Sequence, residues 1–348
     1  MLFYYLLIAW VGIISIFLKD VRSVQKRNKI VIILSCCAIF LIQSLRSLNV
    51  GVDLIGYISA YEIANLINVF KGEKLFNYEL GYILYSQLFS EMNFSNQLYL
   101  SVVALTIITP IAYIWIKNSK MPGLSVFIYI TLGFFTFSFS GLRQAIAIGI
   151  LFLSFKFIQE KSLVKFIAFV ALAMSFHTSA IIFIIAYPLY YLRIKAVHYI
   201  FIIPFLLLTF IFKAKIFNLI YGLYSGVPEQ TEPTNAFTML FVMIFIFFLS
   251  LIFGSKDKKN LDFNAYKNYL LITIFIQIFA SESNIVMRTG YYFYIFITLL
   301  IPEVIKYQQD IKIRLVATFV LIIALLYFFQ INTGSGYLDV SPYLFYWN

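Results

Sequence analysis

Arginines at the ends of apolar runs are the residues of this sequence best suited to chemistry. Arg46 follows the second apolar run, Arg143 precedes the fifth, and Arg288 opens the eleventh. An arginine near hydrocarbon is costly and usually faces a cavity, a carboxylate or a phosphate. Its guanidinium keeps its proton and offers forked donors that match phosphate oxygens. Two interpretations follow: a shared phosphate or pyrophosphate site, or snorkelling and pairing with one of four carboxylates, Asp53, Glu62, Glu79 or Glu282.

The residues around Arg143 predict a helix start. Ser140 and Gly141 come just before it, which places Arg143 and Gln144 in the first turn of the helix. A helix start presents free amide donors and the positive end of the helix dipole. Both features would strengthen an anion site at Arg143, with Gln144 helping to orient the anion.

Two further polar residues, His177 and Asp53, lie at the edges of apolar segments. His177 falls at a predicted turn between two short runs, where it is either a hydrogen-bonded structural residue or a contact to a reacting group. Asp53 follows Arg46 closely in the chain. It is either the partner of an arginine in a salt bridge or a group that orients or deprotonates a hydroxyl.

The cysteines and histidines do not form a metal-binding pattern. His177 and His198 are the two histidines and fall on opposite predicted faces, and neither HExxH nor CxxC occurs. Cys36 and Cys37 are adjacent within an apolar run, where thiols behave as small hydrophobic groups. We therefore predict that the protein has neither a metal site nor a cofactor.

These residues must be positioned by membrane helices. The chain of 348 residues is 62% hydrophobic and only 12% charged, whereas soluble domains carry about a quarter charged residues. Its apolar runs fall at 2–18, 30–45, 98–116, 122–139, 145–158, 164–176, 178–192, 199–212, 236–254, 270–286, 289–305 and 315–331. We predict an all-α, polytopic transmembrane bundle of about 12 spans, within a range of roughly 10 to 14, as one integral membrane domain over residues 1–348.

The charges predict the orientation of this bundle. The net charge of +11 does not indicate a nucleic-acid partner, because most of the 26 basic residues fall in short loops between apolar runs. Placing the richer set of loops in the cytoplasm puts both termini outside. Two long segments, 46–97 and 213–235, then become extracytoplasmic loops. The segment 46–97 is apolar enough to contain a pair of interfacial or re-entrant helices, which leaves the orientation unchanged.

Together these residues resemble the EpsG family of Wzy-type polysaccharide polymerases. The resemblance rests on short motifs in the usual order of the family: Arg46, Gly51-Val52-Asp53 with Tyr57, Glu79-Leu80-Gly81-Tyr82, Ser140-Gly141-Leu142-Arg143-Gln144-Ala145-Ile146-Ala147, Phe176-His177-Thr178-Ser179-Ala180, and Arg288 with Tyr291-Tyr292. One departure from the family pattern is Val52 before Asp53, where a hydroxyl residue is common.

The resemblance implies a multi-pass glycosyltransferase of the bacterial inner, or plasma, membrane. Such an enzyme joins oligosaccharide repeat units carried on undecaprenyl pyrophosphate at the extracytoplasmic face, yielding capsule, O-antigen or exopolysaccharide. Its partners are then the lipid-linked glycan donor and acceptor, membrane lipid and a chain-length regulator protein. No DxD signature of metal-bound nucleotide sugars is present, so we predict a metal-independent reaction.

The resemblance also suggests roles for the residues singled out above. We expect Arg46, Arg143 and Arg288 to bind the pyrophosphate, with Gln144 orienting it. His177 is the first choice for the contact to the reacting sugar or leaving phosphate, and Asp53 the second choice, as general base. Three further residues complete the predicted substrate-binding set: Tyr57, Glu79 and Tyr292.

Two other activities fit the same residues. An O-antigen ligase uses the same donor and also employs arginines and a histidine at the outer face, but its acceptor is the lipid A core. A flippase for lipid-linked oligosaccharides would need charge along a path open to both faces, whereas the polar groups here cluster on one side. The acceptor and the presence of a covalent product therefore distinguish the three.

Overall fold

The chain folds into helices, as the hydropathy pattern predicts. The structure, a computed structural model, describes residues 1–68, 71, 75–224, 236–254, 260–334, 336 and 338–347. Helices α1 to α17 are, in chain order, Leu2–Phe17, Val24–Ser44, Leu54–Glu62, Leu80–Glu91, Asn96–Asn118, Pro122–Thr131, Phe134–Ser140, Leu142–Gln159, Leu163–Phe176, Ala186–Tyr191, Tyr199–Tyr224, Ala236–Phe253, Leu261–Gln277, Asn284–Thr289, Tyr291–Tyr294, Ile297–Tyr307 and Ile311–Gly334. Short 3₁₀ helices cover Leu18–Asp20, Ala64–Leu66, Thr178–Ile185 and Ala196–His198.

Several of these helices are long and apolar enough to cross a membrane, so the chain is a multi-pass membrane protein. By length and composition, six segments of the described chain qualify: Leu2–Asp20, Val24–Ser44, Asn96–Asn118, Leu142–Gln159, Ala196–Ile220 and Ile311–Gly334. Two bent helix pairs raise the number to eight if each pair is one span. The predictions of about 12 spans and of external termini are not confirmed and stay predictions.

Breaks in the helical backbone explain why the number of helices long enough to span a membrane is smaller than the number of predicted apolar runs. Helix α9 has 14 residues, about 21 Å, and is shorter than the hydrocarbon layer of about 30 Å. The run predicted at 289–305 is divided among α14, α15 and α16. Hydropathy measures only how apolar a stretch is, so it cannot register a break between two short helices.

The break between α6 and α7 helps to position Arg143. Helices α6 and α7 meet at an angle of 49°. Gly133 between them has a φ of 87°, a left-handed conformation that glycine adopts without a steric penalty. Helix α7 ends at Ser140, and α8 begins at Leu142 with Gly141 as its N-cap residue. The predicted helix start before Arg143 is therefore confirmed.

The described chain divides into two compact units. The first unit comprises residues 1–181 and 308–348, and the second comprises residues 182–307. In the first unit α8 packs against α5 and α9, α5 packs against α2, and α4 packs against α9. In the second unit α13 contacts α10, α12, α15 and α16. The assignment of residues 1–348 to a single membrane domain stays a prediction.

The segment 46–97 contains a pair of short helices. Helix α3 has 9 residues and α4 has 12, so they are about 14 Å and 18 Å long. Neither is long enough to cross a bilayer by itself. Their location at an interface, or in a re-entrant loop, stays a prediction.

The second predicted loop, 213–235, begins as helix. Residues 213–224 belong to α11, and residues 225–235, including Pro228, Glu229, Glu232 and Pro233, lie outside the described residues. Lys213 forms an ion pair with Glu282 in the second unit, with 3.3 Å between Nζ and Oε1. The charge of Lys213 therefore does not end the helix, and its ammonium group pairs with a carboxylate of the same unit.

The C-terminal segment, defined here as residues 338–347, folds back onto the chain that leads into α3. Backbone amides donate across this contact from Ser47 to Leu344 O at 2.8 Å and from Gly51 to Asp339 O at 3.0 Å. Tyr343 Oη donates to Ile42 O at 2.9 Å. The same segment accepts a hydrogen bond from Ser140 Oγ through Leu338 O. It thus joins the start of α3 to the residue before Gly141.

Deleting residues 338–348 is expected to destabilise the first unit. Four backbone hydrogen bonds between residues 45–52 and the segment would be lost, each worth about 1 kcal/mol. We expect the melting temperature of the protein in detergent to fall by on the order of 5–10 °C, as followed by size-exclusion chromatography after heating. Deleting only residues 347–348 is the matched control. Equal melting temperatures for the two truncations would contradict the structural role of the segment.

Candidate functional site

The carboxylate of Glu79 is the centre of a polar cluster in the first unit. One oxygen, Oε2, accepts a hydrogen bond from Arg143 Nη1 and forms an ion pair with it. The other, Oε1, accepts from the backbone amide of Thr178 at 2.9 Å and from its hydroxyl at 3.2 Å. His177 Nδ1 lies 3.2 Å from the same oxygen, within ion-pair distance although the angle is not that of a hydrogen bond. One side chain thus connects three segments of the chain.

Helix ends bring these three segments together. Glu79 is the N-cap residue of α4, Arg143 lies in the first turn of α8, and His177 is the C-cap residue of α9. Gly81 permits the contact between α4 and α9, because a β-carbon there would lie 2.2 Å from Ser175 Oγ and 2.7 Å from the Ser175 carbonyl oxygen. Only glycine lets the two backbones approach this closely.

Aromatic rings surround the guanidinium of Arg143. Its Cζ lies 4.3 Å from the centroid of the Tyr78 ring, and its Nε lies 3.5 Å from Tyr57 Oη. Tyr57 and Tyr78 stack with their centroids 5.5 Å apart, and Tyr82 meets both rings edge-on. A cation held against ring faces is stabilised by their quadrupoles, so the rings fix the direction of Arg143.

The cluster keeps the Glu79 carboxylate ionised. Burial raises its pKa, but the contact with His177, the Thr178 amide and the charge of Arg143 outweigh burial and lower the pKa from 4.5 to about 2. Because the pKa is lower in the folded state, this group stabilises the fold fully above about pH 4.5. That contribution is lost as the pH falls through about 2. At neutral pH the pair of Glu79 and Arg143 carries no net charge.

Asp53 lies at the start of α3 with its carboxylate exposed. It is the N-cap residue of the helix but makes no capping hydrogen bond, and it forms no ion pair with another described residue. The interpretation of Asp53 as the salt-bridge partner of an arginine is therefore wrong for the described chain. Arg143 pairs with Glu79 instead, one of the alternative carboxylates considered from the sequence. A general-base role for Asp53 stays a prediction.

Arg46 is enclosed beneath the C-terminal segment. Its residue is 2% exposed, and its guanidinium lies 4.4 Å above the ring of Phe139. Nε and Nη1 have no hydrogen-bond partner among the described residues. Burial lowers the pKa of Arg46 to about 10, so it keeps its charge at neutral pH. Contact with a substrate would require the C-terminal segment to move, and the predicted role of Arg46 in binding stays a prediction.

Comparison with known proteins identifies the family. A sequence model of the EpsG family matches residues 2–345, essentially the whole chain. The chain belongs to the EpsG family. EpsG proteins are Wzy-like polysaccharide polymerases, so this chain is a membrane protein of the polysaccharide-polymerase type. No curated protein and no solved structure matched the chain.

The remaining predicted site residues of this EpsG protein lie in two places. Gln144 is 4% exposed and shares the first turn of α8 with Arg143 in the first unit. Arg288 belongs to α14 and Tyr292 to α15, both in the second unit. Tyr292 is completely buried there. The participation of Arg288 and Tyr292 in one site with Arg143 stays a prediction.

Two residues of the polar cluster around Glu79 were not assigned a role from the sequence. Tyr78 packs on the guanidinium of Arg143, and Thr178 donates twice to Glu79. Both are direct chain neighbours of a predicted site residue, Tyr78 of Glu79 and Thr178 of His177. This position next to a predicted site residue is the sequence feature that could have identified them. Among the described residues, no group of three or more His, Cys, Asp and Glu side chains is arranged to hold a metal ion.

Proposed function

We propose that this EpsG-family protein joins oligosaccharide repeat units carried on undecaprenyl pyrophosphate, at the extracytoplasmic face of the bacterial plasma membrane. In the reaction, a hydroxyl of the acceptor unit attacks the anomeric carbon of the donor glycan. The bond from that carbon to the phosphate oxygen breaks, and the lipid pyrophosphate leaves with the electron pair. This chemistry needs positive charge at the leaving group and a proton acceptor near the hydroxyl.

The placement of Arg143 is the observation that carries the proposal. Its Nη1 is used by Glu79 and its Nε faces Tyr57, while its Nη2 makes no hydrogen bond to another described residue. The side chain is 19% exposed. An arginine offers five N–H donors, so the donors on Nη2 are free for an incoming phosphate oxygen. We assign Arg143 to the leaving pyrophosphate, with Gln144 of the same turn beside it.

The aromatic rings and His177 are proposed to contact the sugar. Tyr78 is partly exposed next to Arg143 and is proposed to contact a sugar ring, while Tyr57, which is 6% exposed, stacks against Tyr78 and supports it. Burial raises the pKa of both phenols, so they remain neutral hydrogen-bonding groups. His177 shares Glu79 with Arg143 and is assigned to the reacting sugar. Arg46 and Arg288 are proposed as further cations for the donor.

The experiment is a polymerisation assay with purified protein and lipid-pyrophosphate-linked repeat units. We expect a ladder of longer glycans, unchanged by a chelator because Arg143 supplies the positive charge. Activity lost with chelator and restored by magnesium would contradict metal independence. Transfer of a single glycan to lipid A core would indicate a ligase, and movement of substrate across vesicles without a covalent product would indicate a flippase. In cells, deletion of the gene should leave single-repeat glycans and abolish the long-chain ladder.

A further inference from the structure

Both oxygens of Glu79 are already occupied by protein donors. Arg143 donates to Oε2, while the amide and hydroxyl of Thr178 donate to Oε1. The side chain is 15% exposed, so little of it is open to a ligand. A carboxylate has about four lone-pair directions, and most of these are used inside the protein. Glu79 is therefore poorly placed for the substrate-binding role predicted from the sequence, and its function must act through its neighbours.

The Glu79 carboxylate lies beside Nδ1 of His177 and favours a proton on that nitrogen. Nδ1 is buried, and Glu79 Oε1 lies 3.2 Å from it. An unprotonated Nδ1 would point its lone pair at a negative oxygen, whereas an N–H there is attracted to it. In a neutral imidazole only one nitrogen carries hydrogen, so a proton on Nδ1 leaves the lone pair on Nε2.

The other ring nitrogen of His177 is open. The side chain is 27% exposed, and Nε2 has no hydrogen-bond partner among the described residues. The backbone on either side is fixed, because the His177 amide donates to Ala173 O and the Thr178 amide donates to Glu79, each at 2.9 Å. The ring thus lies at a helix end with one nitrogen beside a carboxylate and the other without a partner among the described residues.

We propose that Glu79 is a positioning residue that holds His177 with hydrogen on Nδ1, so that Nε2 takes the proton of the attacking hydroxyl. This proposal rests on the proposed function. As the oxygen–carbon bond forms, the hydroxyl proton moves to Nε2, and the electron pair of the breaking bond leaves with the pyrophosphate. Glu79, Arg143 and neutral His177 together carry no net charge, and the cluster gains one positive charge when His177 is protonated. That charge appears as the leaving group becomes negative, which favours the transition state.

The tautomer of His177 can be measured directly. The chain has two histidines, so His198→Gln leaves His177 as the only one. In that variant, labelled with ¹⁵N-histidine and reconstituted in lipid, solid-state NMR at pH 8 is expected to show a protonated Nδ1 and an unprotonated Nε2. The additional change Glu79→Gln is expected to reduce the population of this tautomer. A proton on Nε2 in the protein that retains Glu79 would overturn the proposal.

The kinetic test compares Glu79→Gln with Glu91→Gln, which makes the same change at the exposed end of the same helix. We expect Glu79→Gln to lower kcat by on the order of 10- to 100-fold with a small change in KM. Glu91→Gln should match the parent protein.

The two proposals fail in different ways. A parent protein that forms no polymer from lipid-linked repeat units would overturn the proposed function, and the kinetic role of Glu79 with it. A parent protein that polymerises, together with a Glu79→Gln variant of unchanged kcat, would overturn the role of Glu79 alone. Activity that is lost in Asp53→Asn but retained in His177→Gln would transfer the proton acceptor to Asp53.

Discussion

Replacing Arg143 with alanine is expected to reduce polymer formation by on the order of 100-fold or more, because the leaving pyrophosphate loses its positive partner. Arg143→Lys keeps the charge but replaces the planar fork with a single ammonium nitrogen, which fits Glu79 and a phosphate less well, so an intermediate rate is expected. The measurement is the rate of ladder formation at equal protein concentration. Lys156→Ala, which removes a partly exposed cation from the last turn of the same helix, is the matched control and should retain full activity.

A second variant separates catalysis from stability at Arg143. Removing one partner of a partly buried ion pair leaves the other uncompensated, and the fold itself can weaken. In the double variant Arg143→Met with Glu79→Gln, neither position carries a charge, so the melting temperature is expected to return toward that of the parent protein. Polymer formation is expected to stay low. A double variant that is both stable and active would show that the pair is only structural.

Replacing Gly81 with alanine is expected to have an effect of similar size. The new β-carbon would meet Ser175 Oγ and the Ser175 backbone carbonyl well inside van der Waals distance, so α4 must move away from the end of α9. Glu79 precedes α4, and it would move away from His177 and Thr178. A displacement of about 1 Å between catalytic groups costs on the order of 100-fold in rate. Overpacking should also lower stability by about 1–3 kcal/mol.

The matched control for Gly81 is Gly56 in the neighbouring short helix α3. A β-carbon at Gly56 meets nothing within 4 Å, so Gly56→Ala should retain activity and gain slightly in helix stability. Polymer formation and melting temperature are measured for both variants. Normal polymerisation by Gly81→Ala would mean that the close approach of α4 and α9 does not set the geometry of the site.

Part of the fold could be predicted because its causes are local. The apolar runs give most of the helices, and the Ser140–Gly141 pair correctly marks the helix start at which Arg143 lies. His177 is found where one helix ends, as the turn prediction placed it. The number of spans could not be predicted in the same way. Residues 178–192 and 289–305 are predominantly apolar, yet their backbones change from one helix type or direction to another.

What the sequence determined by itself is the class of protein and the inventory of polar groups at the ends of its helices, because hydropathy and helix capping depend on neighbouring residues. Tertiary structure alone decided which of those groups meet. Glu79 takes partners 64 and 99 positions away in the chain, and Arg46 is covered by a segment from the opposite end. Such contacts depend on how helices pack, through details such as the missing side chain at Gly81, and no local pattern encodes them.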